Sequence, residues 1–289
     1  MTSRRARVRR RAGVLSLLVV VLSGVLAACG GEDQIDATPL PGGVVLHVDQ
    51  SRVERKGREV FVRVENHTSK ALTIERFELT SPRLEDVTWT GDELVEPDYE
   101  RDLEFQLPRG RCGTDVDARV TLTYRVDDGE LRRSTGPADD RYGNVALFAD
   151  RDCAESTLAR AASISVGTPA VTGEGDDAVL QVPVTLTPTG RSDDVAFGGF
   201  GSTVLFQQAG DSPTGVDVPL RGGAPVDLMM SVVPARCDSH ALAEDKVGTL
   251  FGVLVKAPGL DRNASFYLPL DKAQRSAFFD YFRSSCGLS

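Results

Sequence analysis

One pattern, D-L-x7-R-C, occurs twice in the chain: DLEFQLPRGRC from Asp102 to Cys112, and DLMMSVVPARC from Asp227 to Cys237. In both copies an apolar run with strand character passes through a proline-containing bend into Arg-Cys. In both, further strand-like segments follow, and an aromatic-containing segment delivers a second cysteine: LFADRDC ends at Cys153 and YFRSSC at Cys286. Upstream, each half opens with two apolar runs joined by a polar turn. Self-similarity on this scale means one folding unit used twice. It predicts two related domains, at 44–155 and 160–289, each of ordinary domain size.

The type of unit follows from periodicity. The runs 44–49, 59–66, 71–79, 102–107 and 118–126 in the first half are rich in β-branched and aromatic residues. So are 163–168, 178–188, 202–207, 227–233 and 248–257 in the second. Several alternate with period two, as half-buried strands do. Short strands separated by turn residues predict antiparallel sandwiches. The four Asp-Asp pairs, at 127/128, 139/140, 176/177 and 193/194, read as turns, because none has the spacing of a calcium loop. One helix is expected, near the end. Asp271 caps it, Gln274 completes a capping box, and Ala273, Ala277, Phe278, Tyr281 and Phe282 share a face. The stretch VRVENHTSKALTIERFELTSP, a strand, an Asn-x-Thr turn and a second strand, resembles the early hairpin of bacterial immunoglobulin-like domains. The expected fold is therefore two related immunoglobulin-like antiparallel β-sandwiches, the second with a C-terminal helix, each with one disulfide.

The N-terminus is a targeting segment. Arg4, Arg5, Arg7, Arg9, Arg10 and Arg11 precede an uncharged run from Ala12 to Ala28. That run is short for a spanning helix and fits an export signal. Arg7 falls where a twin-arginine signal wants an apolar residue, which favours the general export route. Leu26-Ala27-Ala28-Cys29 resembles the lipobox of bacterial lipoproteins at all four positions. The resemblance implies cleavage after residue 28 and fatty acyl chains, such as palmitate, on Cys29. Two or more chains hold a protein stably to a membrane. Arginine dominates the basic residues, and with the PARCDSHALAEDKVGTLF stretch and the closing helix this is similar to actinobacterial lipoproteins. Residues 29–43 then form a lipidated tether; residues 30–43 carry Gly, Pro and acids without apolar periodicity and span roughly 20 Å as a flexible coil.

With Cys29 lipidated, Cys112, Cys153, Cys237 and Cys286 remain in an exported chain, where thiols tend to become disulfides. Four cysteines allow three pairings. The repeat selects Cys112–Cys153 and Cys237–Cys286, since only these are equivalent in the two copies. The pairing also bears on PARCDSHALAEDK, where Cys237 stands three residues before His240. The first copy has no histidine there, so a disulfide role is expected rather than a metal pair. Asp238, Glu244 and Asp245 read as solvated loop acids.

No sequence signature of catalysis emerges. The chain has no G-x-S-x-G elbow, no phosphate-binding P-loop and no H-E-x-x-H. GGFGST, 198–203, leads into a strand signal and reads as a bulge or tight hairpin. Trp89 reads as a sandwich core residue rather than a sugar platform. Removal of the signal lowers 33 basic residues to 27 against 42 acids, a net charge of −15, which repels nucleic acid. The expectation is a non-enzymatic interaction or binding module of the cell envelope. It needs no cofactor or metal, holds the membrane through lipid on Cys29, and contacts an envelope protein or wall polymer. The second reading is a surface lipoprotein that captures a sugar or a metal ion; the third is a hydrolase built from scattered acids.

Overall fold

The structure, a computed structural model, describes residues 36–51, 57–113, 117–237 and 247–288. Cys29, His240, Asp238, Glu244 and Asp245 lie outside the described residues. The first half runs β1 (Thr38–Pro39), β2 (Val44–Asp49), β3 (Glu59–Asn66), β4 (Leu72–Thr80), β5 (Val87–Val95), β6 (Tyr99–Gln106), β7 (Ala118–Val126), β8 (Arg132–Ala138) and α1 (Asn144–Ala161). The second runs β9 (Ala162–Val166), β10 (Ala170–Thr172), β11 (Val179–Pro188), β12 (Ala196–Phe200), β13 (Phe206–Gln208), β14 (Thr214–Pro219), β15 (Val226–Pro234), β16 (Gly252–Lys256), β17 (Ser265–Tyr267) and α2 (Lys272–Ser285).

The two halves repeat one topology. A sheet ordered β8-β7-β4-β5, with β1 added in parallel outside β8, faces a sheet ordered β2-β3-β6. In the second half β17-β16-β12-β14 faces β10-β11-β15, where β9 continues the β10 edge and β13 extends the far side. Among the described residues all strand pairs except β1–β8 are antiparallel, and the single bridge between His47 of β2 and Asp139 is parallel. This is the immunoglobulin-like sandwich, twice. Period-two alternation builds each core. Val44, Leu46 and Val48 of β2 and Val60, Val62 and Val64 of β3 meet Ile74, Phe77 and Leu79 of β4 and Val120 and Leu122 of β7. In the second core Leu180, Val182 and Val184 of β11 meet Phe197 of β12 and Val253 and Val255 of β16.

Local chemistry fixes the turns. Asn66 is fully buried at the end of β3. Its amide donates to the carbonyls of Lys70 and Val95 (2.8 and 2.9 Å), and its Oδ1 accepts from the Thr68 hydroxyl (2.7 Å). One side chain thus ties the β3–β4 turn to the end of β5. The Asp127-Asp128 pair takes positive φ at both residues (49° and 57°), the conformation a tight hairpin between β7 and β8 requires. Asp139 pairs with β2 through its backbone, and Asp140 caps α1. Asp176-Asp177 lie in a 3-10 turn and Asp193-Asp194 in the bend before β12.

Four expectations need correction. The tether expected over 29–43 is not flexible throughout: Thr38–Pro39 pair with β8 and Leu40 packs on the first core, because an apolar Leu-Pro stretch reaches the open edge of that sheet. The run 202–207 is a loop as far as Leu205, with only Phe206–Gln208 in a strand. The C-terminal helix has its capping box, with both the Asp271 and Gln274 bonds at 2.8 Å, and buries Phe278, Tyr281 and Phe282. Ala273, however, is exposed and Ala277 is half-buried, because the buried face is set by three aromatic rings that cluster around Phe206 and Phe251. Finally, α1 is a second long helix where one helix was expected. The Asp140 carboxylate accepts from the backbone N–H groups of Asn144, Val145 and Ala146 at its start (2.6, 2.9 and 3.2 Å). Val145 and Phe148 enter the first core, and Ala154, Leu158 and Ala161 enter the second. The junction of the halves, expected between 155 and 160, is therefore inside a helix that both cores share.

Two disulfides join Cys112 to Cys153 and Cys237 to Cys286, with Cα–Cα separations of 5.0 and 5.2 Å. Each ties the closing cysteine of the repeat motif to the helix of its own half, within α1 in the first and at the end of α2 in the second. Among the described residues no helix is long and apolar enough to cross a membrane, and the disulfides are compatible with an extracytoplasmic location.

Candidate functional site

The alternation that buries the valines of β2 and β3 turns His47, Asp49, Phe61, Arg63 and Glu65 to the opposite face. In β6 it turns Glu100, Asp102 and Glu104 the same way, with Asp102 opposite Arg63 in register. The turn after β8 lays Arg141 and Tyr142 over this face, and α1 begins beside it. Charged residues therefore pair across strands. The Arg63 guanidinium forms a two-pronged bond with Asp102 (2.7 and 2.8 Å) and lies 3.0 Å from Glu100. Arg141 reaches Asp49 at 2.6 Å and Glu65 at 3.6 Å. The hydrogen bond to Asp102 raises the Arg63 pKa, and the bond to Asp49 raises that of Arg141.

Two buried polar groups in this network are incompletely satisfied. Asp49 is 3% exposed; Oδ2 receives Arg141, but Oδ1 has no hydrogen-bond partner among the described residues. His47 is 7% exposed, with Nε2 at 3.2 Å from Glu65 Oε1, while Nδ1 has no hydrogen-bond partner among the described residues and lies 3.9 Å from Asp139. A buried acceptor without a donor costs about 1–3 kcal/mol, and more when charged.

Asp49, Arg63 and Asp102 form one wall of a cleft of about 880 Å3. Arg141, Tyr142 and, from α1, Leu147 and Arg151 continue that wall. The opposite wall comes from the second half: Ser202, Thr203 and Val204 after β12, Leu250 before β16, and Tyr267 of β17. Such a volume lies in the upper part of the roughly 300–1,000 Å3 range of ligand sites. Three arginines of the cleft each lie over an aromatic ring: Arg63 over Phe61 (5.3 Å), Arg141 over Tyr142 (5.6 Å) and Arg151 over Tyr267 (4.2 Å). The last contact crosses between the halves. Tyr142 is 73% exposed, and Val204 and Leu147 are 52% and 43% exposed, so the lips of the cleft are apolar and open.

The residues singled out in the sequence fall elsewhere. Cys112, Cys153, Cys237 and Cys286 are all in disulfides. Trp89 is half-buried, stacked on Phe77 with centroids 5.6 Å apart, and lies over Gly91, where a Cβ would sit 2.3 Å from the indole. GGFGST contains the expected bulge, between Phe197 and Gly199 of β12. Gly199 has φ +119°, and a Cβ there would meet the Gly215 nitrogen at 2.8 Å. Beyond the bulge, Thr203 accepts from the backbone of Leu205 and Phe206 and donates to Gly248 (3.2, 3.0 and 2.7 Å), fixing the loop that lines the cleft. The cleft residues themselves were missed. Their signal is the outward half of each alternating strand, where EVFVRVEN sets Phe61, Arg63 and Glu65 in a row. His47 and His67 both approach Glu65, at 3.2 and 3.3 Å. Among the described residues no group of three or more His, Cys, Asp or Glu side chains is arranged to hold a metal ion.

No protein-family model and no curated protein matches the chain. Among solved structures, red sea bream transglutaminase aligns at 13% identity over 80% of this chain and 32% of its own, with a TM-score of 0.24. Amycolatopsis orientalis exo-chitosanase aligns at 15% identity over 78% and 26%, TM-score 0.19. The BSP domain of a biofilm-associated protein aligns at 9% identity over 82% and 60%, TM-score 0.24. The chain thus spans a third or less of the two enzymes, and likenesses this low bear on neither its fold nor its activity.

Proposed function

We propose that the chain is a lipid-anchored, non-enzymatic binding module of the cell envelope that takes its ligand, part of an envelope protein or wall polymer, in the cleft between its two sandwiches. Cys29 carries the lipid, and the short tether ahead of β1 holds the cleft near the membrane surface. One observation carries the binding role: a cleft of about 880 Å3 with open apolar lips, one wall of paired charges from the first sandwich and a second wall from loops and β17 of the other. Pairing fixes the arginines and carboxylates in place, which suits recognition better than proton transfer, where an acid and a base must change charge. Among the described residues every cysteine is committed to a bridge and leaves no thiol for a nucleophile.

The test uses the full chain expressed in a bacterium and its Cys29→Ala form. The parent should fractionate with membranes and the variant should be soluble. The soluble form should sediment with purified envelope material from an actinobacterium, and Leu147→Arg with Val204→Arg at the lips should abolish sedimentation. Sedimentation unchanged by the lip substitutions would contradict the cleft as the site, and a membrane-bound Cys29→Ala form would contradict the anchor.

A further inference from the structure

We propose that the cleft recognises a neutral oligosaccharide. The inference rests on the cleft being the binding site and adds the chemistry of what fills it. Three features select the ligand. The first is Asp49, a carboxylate 3% exposed in the cleft wall, whose Oδ1 is shut off from solvent and has no hydrogen-bond partner among the described residues. A ligand that completes this site brings a hydrogen-bond donor, as a sugar hydroxyl does. Asp49 is held by Arg141 through its other oxygen, so the acceptor is oriented before the ligand arrives.

The second is charge. Arg63 is occupied by Asp102 and Glu100, Arg141 by Asp49 and Glu65, and Arg151 lies over the Tyr267 ring. An anionic ligand would have to displace carboxylates from Arg63 and Arg141. A cationic ligand would enter beside three arginines. A neutral polyhydroxylated ligand meets neither penalty, and it can use both members of each pair at once, with hydroxyls donating to the carboxylates and accepting from the guanidinium edges. The third is the aromatic content. Tyr142 is 73% exposed at one lip and Tyr267 lines the other half, each backed by an arginine. Rings placed beside fixed polar groups match the alternating apolar and hydroxylated faces of a pyranose. Ser202 and Thr203 add hydroxyls on the second wall.

The experiment is calorimetric titration of the soluble Cys29→Ala chain. The probes are neutral tetrasaccharides (gluco-, manno-, arabino- and N-acetylchito-), with tetragalacturonate and a cationic tetralysine as charged arms. At least one neutral tetrasaccharide should bind, and neither charged probe should bind more tightly. Asp49→Asn and Tyr142→Ala should each weaken binding about tenfold or more, the loss of one charge-assisted or stacking contact. Val171→Ala, exposed in the second half away from the cleft, should leave it unchanged. Tyr142 is exposed, so its variant reports on binding even if Asp49→Asn unfolds the first sandwich. Tighter binding of a charged probe, or sugar binding that survives Tyr142→Ala, would overturn the proposal. If no neutral sugar binds while the lip substitutions still abolish sedimentation with envelope material, the sugar assignment fails and the cleft reading stands.

Discussion

Asp152 is the place where the repeat's helix is held to its own sandwich, and removing it has a calculable cost. The side chain is 7% exposed in the middle of α1. It accepts from Arg58 Nη1 and Nη2 (2.9 and 2.8 Å) and from the Gly110 N–H (2.6 Å). Arg58 also donates to the Leu107 carbonyl at 2.8 Å and to that of Pro108. Two residues earlier on α1, Asp150 accepts from Arg83, 4% exposed (2.7 Å), which also donates to the Arg111 carbonyl (3.0 Å). The segment before Cys112 is thus clamped to α1 beside the disulfide. Breaking a buried ion pair by removing one partner costs about 3–5 kcal/mol, whereas exposed pairs contribute about 0.2–1. The Arg58 side chain is 29% exposed and keeps two carbonyl acceptors, so Asp152→Ala should cost an intermediate amount, about 2–3 kcal/mol. Urea unfolding of the disulfide-intact protein should show this as a lower midpoint with an unchanged slope. Arg58→Met with Asp152→Leu should recover more than half of the loss, because an apolar pair replaces a buried ionic one at little cost. A loss under about 0.5 kcal/mol for Asp152→Ala would place the pair in the exposed class and refute the clamp.

The same interface has a steric limit: a Cβ on Gly110 would sit 2.4 Å from the Ala149 Cα, so Gly110→Ala should push α1 from the sandwich and destabilise by about 1–3 kcal/mol, read by thermal unfolding. Asp140→Ala removes the carboxylate that caps three N–H groups of α1 and should cost about 0.5–2 kcal/mol in the same assay, with Asp140→Asn recovering part. Burial raises the pKa of Glu78, but hydrogen bonds from Arg133 and Arg76 outweigh it and hold the carboxyl below the ordinary range. A depressed carboxyl stabilises above its unfolded value, near 4.3, and that stability disappears as pH falls through the folded value. The stability gap between the parent and Glu78→Gln should therefore be full near neutrality and close progressively below about pH 4; a gap independent of pH would refute the assignment.

Much of the fold was legible where one rule governs a segment. Strands β2, β3 and β7 occupy the runs read from alternation, since each has one face on a core and one outward. Strand β5 gave little signal, because it is an edge strand with most side chains exposed. Helix α1 was hidden for the opposite reason. Val145, Phe148, Ala149, Cys153, Ala154 and Leu158 are buried against two sandwiches, so no single apolar stripe marks it. The repeat nevertheless held the clue: α1 occupies the place after β8 that α2 occupies after β17, and each carries the second cysteine of its half or has it at its end. The cleft was legible only in pieces. Alternation identifies which residues of β2, β3 and β6 point outward, but only the strand register sets Asp102 against Arg63. Only the shared helix brings Tyr267 to Arg151.

The twin-sandwich account is tested most directly by peptide mass mapping of the mature protein digested without reduction. It predicts two linked species, one containing Cys112 with Cys153 and the other Cys237 with Cys286, and no alkylatable thiol at any of the four. A linked peptide joining a cysteine of the first half to one of the second, or a free sulfhydryl at Cys237, would contradict it.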